Sequence, residues 1–212
     1  MAISDHVDGV SGRVQVVDHE GRRALMVDGA VVSVAVTGEE PPSGYWAAML
    51  PRISPRNALL LGLGGGTLAH LLNFRWPGIQ LTGVDLDTEV IAYAREQFDL
   101  DLPNLEVIIA DAFDFLAEAP RCYDYVAVDL FRGFDLQRRV LSKPFLSNLR
   151  QTIGPHGEAV FNLFQDRRTA RNLSRIARVL WICRVDEVGR NVVVHCRGNL
   201  GPKSPGTVLA HE

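Results

Sequence analysis

Four places in the sequence carry residue types that can do chemistry, at spacings that let them act together. Gly62-Leu63-Gly64-Gly65-Gly66-Thr67 follows an apolar run and opens a helical pattern. Lacking side chains, such a turn lets a ligand approach the backbone, and the helix start behind it carries N–H groups without intrahelical partners. Asp85 ends the next apolar run, about 20 residues further on, where a carboxylate can accept both hydroxyls of a ribose. Leu86 follows it, and Asp87 is the better candidate for the plain role of capping the next helix. Asp111, followed by Ala112, can accept from an exocyclic amine of a base while the next backbone N–H faces a ring nitrogen. Its alternative is the N-cap of a short helix reaching Ala117. Asp129 stands at the end of a fourth apolar run, beside the place where a group would be transferred, and its alternative is a capping or turn aspartate.

The elements that must hold these residues can be read from periodicity. Residues 11–36 alternate as three short antiparallel strands, with turns at Asp18-His19-Glu20-Gly21 and Asp28-Gly29. They are too few for an independent domain. Residues 37–44 have linker composition, and Tyr45–Leu50 resumes an apolar helical pattern before Pro51. From Ala58 strands alternate with helices: strands over 58–63, 79–84, 105–110, 125–128 and 159–164, helices over 67–76, 88–98, 144–153 and 167–180. Ser142 is placed to cap the third of these helices, and Gly154-Pro155-His156-Gly157 to stop it. A hairpin over 182–197 closes the pattern, and its register sets Cys183 opposite Cys196. The whole predicts an α/β fold: a doubly wound, mostly parallel seven-stranded sheet with a small N-terminal antiparallel β appendage, ligand lying at the carboxyl ends of the central strands. The expected division is an appendage and linker over 1–44, a nucleoside-binding domain over 45–200 and a tail over 201–212.

Composition narrows the partners. A net charge of −3 in 212 residues leaves no electrostatic footprint for nucleic acid or an anionic membrane. No apolar stretch approaches the roughly 20 residues of a membrane span, and the polar, acidic first ten residues do not read as a secretory signal. A cytoplasmic protein with a small-molecule acceptor is expected. Cys122, Cys183 and Cys196 lack metal-ligand spacing, so no metal site is expected, and the thiols read as reduced. None of the six histidines pairs with a Ser or Cys in a hydrolase pattern, and His70 reads as a surface or packing residue.

With these residues in view, segment 58–164 resembles the polyamine aminopropyltransferases, the spermidine synthase family, and their class I methyltransferase-fold relatives. Leu61–Leu68 is similar to that family's nucleoside loop, Val84-Asp85-Leu86-Asp87 to its acidic strand end, and Ala110-Asp111-Ala112 to its adenine-binding turn. Ser142–Phe164 resembles its helix, turn and strand, and Arg22–Val32 its N-terminal hairpin. The resemblance implies an S-adenosyl ligand (S-adenosylmethionine or its decarboxylated form), held by Gly62, Gly64, Gly65, Gly66, Asp85, Leu86, Asp111, Ala112 and Asp129. It also implies pairing into a homodimer.

The likeness stops where aminopropyl chemistry would sit. Gly65 stands near the place of the family's loop aspartate, and Arg132 occupies the position of the family's second, proton-accepting aspartate after the fourth strand. Ala47 and Val32 replace a further acidic residue and a glutamine. A chain of ammonium groups needs carboxylates to offset its desolvation, and a guanidinium repels it. Arg132 suits an anionic acceptor or the carboxylate of intact S-adenosylmethionine, or else faces solvent. Tyr45, Trp46, Phe131, Phe134 and Phe164 are candidates for an acceptor pocket, with plain core packing as their alternative. The reading is therefore a transferase, foremost a methyltransferase, with Asp129 orienting the acceptor or taking its proton and Asp135 as a substitute base. The alternatives are a true aminopropyltransferase and a non-catalytic nucleoside-binding protein.

Overall fold

The computed structural model describes residues 6–36, 42, 44–119 and 123–198. Most of the expected linker, the tail over 201–212 and Cys122 lie outside the described residues.

The N-terminal part forms a four-stranded antiparallel sheet: β1 (His6–Gly9), β2 (Gly12–His19), β3 (Arg22–Val27) and β4 (Ala30–Val34). Three strands were expected; β1 has the sequence His-Val-Asp-Gly, with one apolar residue, and pairing rather than periodicity makes it a strand. In β2 and β3, Val14 faces Val27 and Val16 faces Leu25, as the alternation requires.

The main body follows as α1 (Tyr45–Met49), β5 (Asn57–Leu61), α2 (Thr67–Arg75), β6 (Gln80–Asp85), α3 (Thr88–Phe98), β7 (Leu105–Ile109), α4 (Ala112–Glu118) and β8 (Tyr123–Val128). A two-residue ribbon, β9 (Phe131–Arg132) with β10 (Asp135–Leu136), leads into α5 (Lys143–Thr152), β11 (Ile153–Phe164), α6 (Thr169–Ala177), β12 (Trp181–Val188) and β13 (Asn191–Arg197). The seven-stranded sheet has the order β12-β13-β11-β8-β5-β6-β7. From β11 to β7 neighbours run parallel, while β13 is antiparallel to both its neighbours. The fold is the expected doubly wound sheet.

Alternation along the central strands builds two core layers. Leu59, Leu61, Val126 and Val128 pack with α4 and α5 through Leu116, Phe145 and Leu149. Ala58, Leu60, Tyr125 and Ala127 pack the other face against α1, α2 and α3 through Met49, Leu72 and Ile91. Burying strands on both faces is what their near-continuous apolar runs demand. Ser142 caps α5 through a bond from the Phe145 N–H. The expected stop at Gly154–Gly157 lies instead inside β11, where the register with β8 shifts between Ile153 and Glu158.

One register differs from expectation. Ile182, not Cys183, faces Cys196, and Arg184 faces His195, so Cys183 is the extra residue of a bulge. Its Sγ donates to the His195 carbonyl at 3.3 Å, and both thiols are free.

The small sheet is seated on the body by polar bonds as well as by Val14, Leu25 and Val27 against Val90 and Phe98 of α3. Thr67 Oγ1 donates to the Val34 carbonyl at 2.7 Å and accepts from the Val34 N–H at 2.8 Å. Asp87, fully buried, caps α3 and accepts from the Ser11 N–H at 2.7 Å. The appendage therefore sits directly over the first βα turn.

Candidate functional site

The carboxyl ends of β5, β6 and β8 and the turn after β7 open into a cavity of about 1180 Å3. Its floor is the glycine turn. Gly62 has φ 85°, and a Cβ there would lie 2.2 Å from the Asp129 carbonyl oxygen, so only glycine passes between β5 and β8.

The N–H groups of this turn are consumed within the protein. Gly62 donates to the Val84 carbonyl at 2.9 Å and Gly66 to that of Leu63 at 3.0 Å. Leu63 and Gly64 donate to Asp85 Oδ2 at 3.1 and 2.9 Å, and Gly65 donates to Ser33 Oγ at 2.7 Å. The donors inside the turn are thus all taken, while the start of α2 behind it has no side-chain cap, so the turn itself offers a ligand room rather than hydrogen bonds. Gly62 and Gly64 line the cavity, whereas Gly65 and Gly66 do not. A Cβ on Gly65 would lie 2.7 Å from Ser33 Cβ, and one on Gly66 2.3 Å from a Leu100 methyl. These two glycines serve close packing, and this corrects their expected ligand role.

Asp85 organises the turn. Besides Leu63 and Gly64 on Oδ2, its Oδ1 accepts from the Asp87 N–H at 3.0 Å. A carboxylate has about four lone-pair sites, so one remains on Oδ1. That is one position fewer than the expected two-hydroxyl clasp on a ribose calls for. Burial pushes the Asp85 carboxyl up, and the surrounding N–H groups pull it back. Leu86, exposed, lines the cavity beside it.

Asp111 takes the capping role foreseen as its alternative. Its Oδ1 caps α4, accepting from Phe113 N–H at 2.7 Å and Asp114 N–H at 3.4 Å. Oδ2 makes neither bond, and both Asp111 and Ala112 line the cavity. Arg139 lies 4.2 Å above the Phe113 ring and also lines it.

The opposite side is built around Asp129. Asn162, on β11 and 3% exposed, donates to Asp129 Oδ1 at 2.8 Å, and Asn191 on β13 donates to Asn162 Oδ1 at 2.8 Å. The Tyr45 hydroxyl is hydrogen-bonded to the same carboxylate. Burial pushes Asp129 up to about 6 against the pull of these donors, and burial and the nearby carboxylate push the Tyr45 phenol well above its usual value. Asp129 is thus poised to change charge near neutrality.

Tyr45 is held there through α1. Two carbonyls at the end of this short helix are taken by side chains from the sheet. Ala48 O accepts from Arg184 at 2.8 Å and from His195 Nε2 at 2.8 Å, and Met49 O accepts from the Tyr125 hydroxyl at 2.6 Å. His195, 1% exposed, bonds through Nδ1 to Glu158.

Phe131 and Phe164 pack with ring centroids 4.7 Å apart, and both line the cavity with Tyr45, Trp46, Phe134 and Arg132. Asp135 is not brought to the site: it pairs with Arg132 across the β9–β10 ribbon, is exposed and does not line the cavity. Its exposure and its absence from the cavity lining tell against its expected role as a substitute base. His70 is a packing residue, bonded to the Phe98 carbonyl at 2.8 Å. Among the described residues no cluster of His, Cys, Asp and Glu has metal-site geometry. Ser33, Asn162, Asn191 and Arg190 escaped sequence reasoning; for Asn162, a polar residue inside an otherwise apolar strand was the available signal.

A family described as a methyltransferase domain matches residues 58–157. A polyamine aminopropyltransferase of Neisseria meningitidis is 30% identical over 128 residues, 59% of this chain and 49% of that protein. An N-terminal histidine N-methyltransferase of Emericella nidulans is 32% identical over 162 residues, 68% of this chain and 28% of that protein. The chain thus spans about half the length of the first relative and about a quarter of the second. The crystal structure of a probable spermidine synthase from Corynebacterium glutamicum superposes with a TM-score of 0.76 at 19% identity, covering 94% of this chain and 81% of that one. The chain has the class I methyltransferase fold in its spermidine-synthase-like form.

Proposed function

We propose that this chain is an S-adenosylmethionine-dependent transferase acting on a small-molecule acceptor, and that the group it transfers is methyl. The observation that carries this reading is the glycine turn whose N–H groups are all consumed. A phosphate cradle draws on the turn's own donors as well as on the helix start; a nucleoside ending in a sulfonium needs only the space. Asp85 and Asp111 fit such a ligand, each keeping an acceptor position toward the cavity for a ribose hydroxyl and an adenine amine. When bound, S-adenosylmethionine supplies an electrophilic methyl group on a positive sulfur. Asp129 then does two things: its ionised carboxylate favours the cation, and it takes a proton from the acceptor, with Tyr45 and Asn162 fixing its orientation.

Methyl transfer is favoured over aminopropyl transfer by what surrounds the reacting end. Transfer of methyl asks chiefly for positioning of two reactants. An aminopropyl donor and a polyamine acceptor ask for carboxylates, and this half of the cavity has Arg132 and a packed Ser33 at the loop. Aminopropyl transfer is the second reading, supported by the Neisseria relative and by Asp129 as a base. The reading further takes the domain as residues 45–200 and the protein as cytoplasmic and homodimeric.

Calorimetry with S-adenosylmethionine, its decarboxylated form and 5′-methylthioadenosine tests this. Micromolar binding of the intact form is expected, and Asp85→Ala should weaken it by about tenfold or more, the loss of one charge-assisted bond and of the ordered turn. Preference for the decarboxylated form would restore aminopropyl transfer. Failure of all three to bind would remove both.

A further inference from the structure

We infer that the acceptor is an anion with an apolar ring, its acidic group taken by Arg132 and Arg190 and its ring resting against Phe131 and Phe164. The inference rests on the transferase reading and names the substrate class of the same cavity. Its basis is a continuous run of contacts leading away from Asp129. Asp129 bonds Asn162, and Asn162 bonds Asn191. Arg190, adjacent to Asn191 in the β12–β13 turn, sets its guanidinium 5.8 Å from the Phe164 ring. Phe164 meets Phe131, and Arg132 follows Phe131 in β9. All of these residues line the cavity.

The charge on this side is unbalanced. Arg132 and Arg190 have no ion-pair partner among the described residues. Of the carboxylates lining the cavity, Asp85 and Asp111 belong to the nucleoside side and Glu20 to the β2–β3 turn, so Asp129 is the one at the transfer position. A polycation entering here would meet two guanidinium groups, one of them with Asp135 opposite it across the β9–β10 ribbon, before reaching Asp129. An anion meets planar forks that match a carboxylate, beside rings that accept an apolar face. The ring contact also holds the Arg190 guanidinium in place, which lowers the entropy lost on binding.

The test uses the full chain and three probes, 4-hydroxybenzoate, 4-hydroxybenzamide and putrescine, titrated calorimetrically with and without S-adenosylhomocysteine. The benzoate should bind at least about tenfold tighter than its amide, the worth of one charge-assisted pair, and putrescine should not compete. Arg132→Gln and Arg190→Gln should each remove most of that preference while leaving S-adenosylhomocysteine affinity unchanged. Equal binding of benzoate and amide, stronger binding of putrescine, or no benzoate binding below millimolar would overturn the inference. Arginine variants that weaken S-adenosylhomocysteine but not benzoate would overturn it too, assigning the arginines to the methionine carboxylate. Loss of the transferase reading looks different: S-adenosylhomocysteine then fails to bind while the benzoate preference stands.

Discussion

The nucleoside half of the cavity and the acceptor half are built by different means. Around Gly62, Asp85 and Asp111 the binding surface is backbone and carboxylates, positioned by turns that close within a few residues of each strand end. Around Asp129 it is a chain of side chains from α1, β11 and β13, elements as far apart in sequence as Tyr45 and Asn191. The first half is thus rigid by local geometry, and a single added atom should break it. The second half is held by hydrogen bonds that can be removed one at a time, so its variants should shift titration and specificity.

The sharpest break in that comparison is Gly62→Ala. The new methyl would meet the Asp129 carbonyl in a backbone that is already left-handed. A cost of about 3 kcal/mol or more, roughly 10 °C in thermal midpoint, is expected, with S-adenosyl binding lost. Scanning calorimetry of the variant checks it; a stable variant that still binds would show that the turn can yield, and the two halves would not differ as described.

The same contrast decides what could be read from sequence. Gly62, Asp85 and Asp111 were legible because strand, turn and helix start lie within one βα unit, where spacing alone fixes geometry. Gly65 was misassigned, since the reason for that glycine is Ser33, 32 residues away. The hold on α1 by Arg184, His195 and Tyr125 was invisible for the same reason: it needs the register of β12 and β13 against β8 and β11. Even that register was displaced by one residue, because a bulge at Cys183 leaves no mark in the alternation of Trp181–Val188. Core and topology, by contrast, follow from apolar runs whose meaning does not depend on exact pairing.

Asp129 gives the next largest effect, and its sign is set by burial. The folded carboxyl titrates at about 6, above the usual 3.8, so the folded state holds the proton more tightly than the unfolded chain. Stability of the unliganded protein should fall as pH rises from about 4 to about 6 and level off above. Asp129→Asn should therefore gain on the order of 3 kcal/mol at pH 8 and little at pH 4. Ligand binding should show the opposite trend, because a cation favours the ionised carboxylate. Affinity for S-adenosylmethionine should tighten as pH rises through about 6, and the variant should lose that dependence along with transfer activity. Denaturant titrations of both proteins at the two pH values, with calorimetry across the range, measure both; a gain over the native chain no larger at pH 8 than at pH 4 would place Asp129 in solvent.

Tyr45→Phe sharpens the comparison with the smallest change. The Tyr45 hydroxyl bonds the Asp129 carboxylate and lowers its pKa, though less than Asn162 does. Removing the hydroxyl while keeping the ring should move the inflection in S-adenosylmethionine affinity upward from about 6 by a fraction of a pH unit. Thermal stability should change by no more than about 1 kcal/mol, since α1 stays held by Arg184, His195 and Tyr125. An inflection that moves down would mean that Tyr45 acts on Asp129 by excluding water from it rather than by donating a proton to it. The acceptor half would then be controlled by packing, as the nucleoside half is.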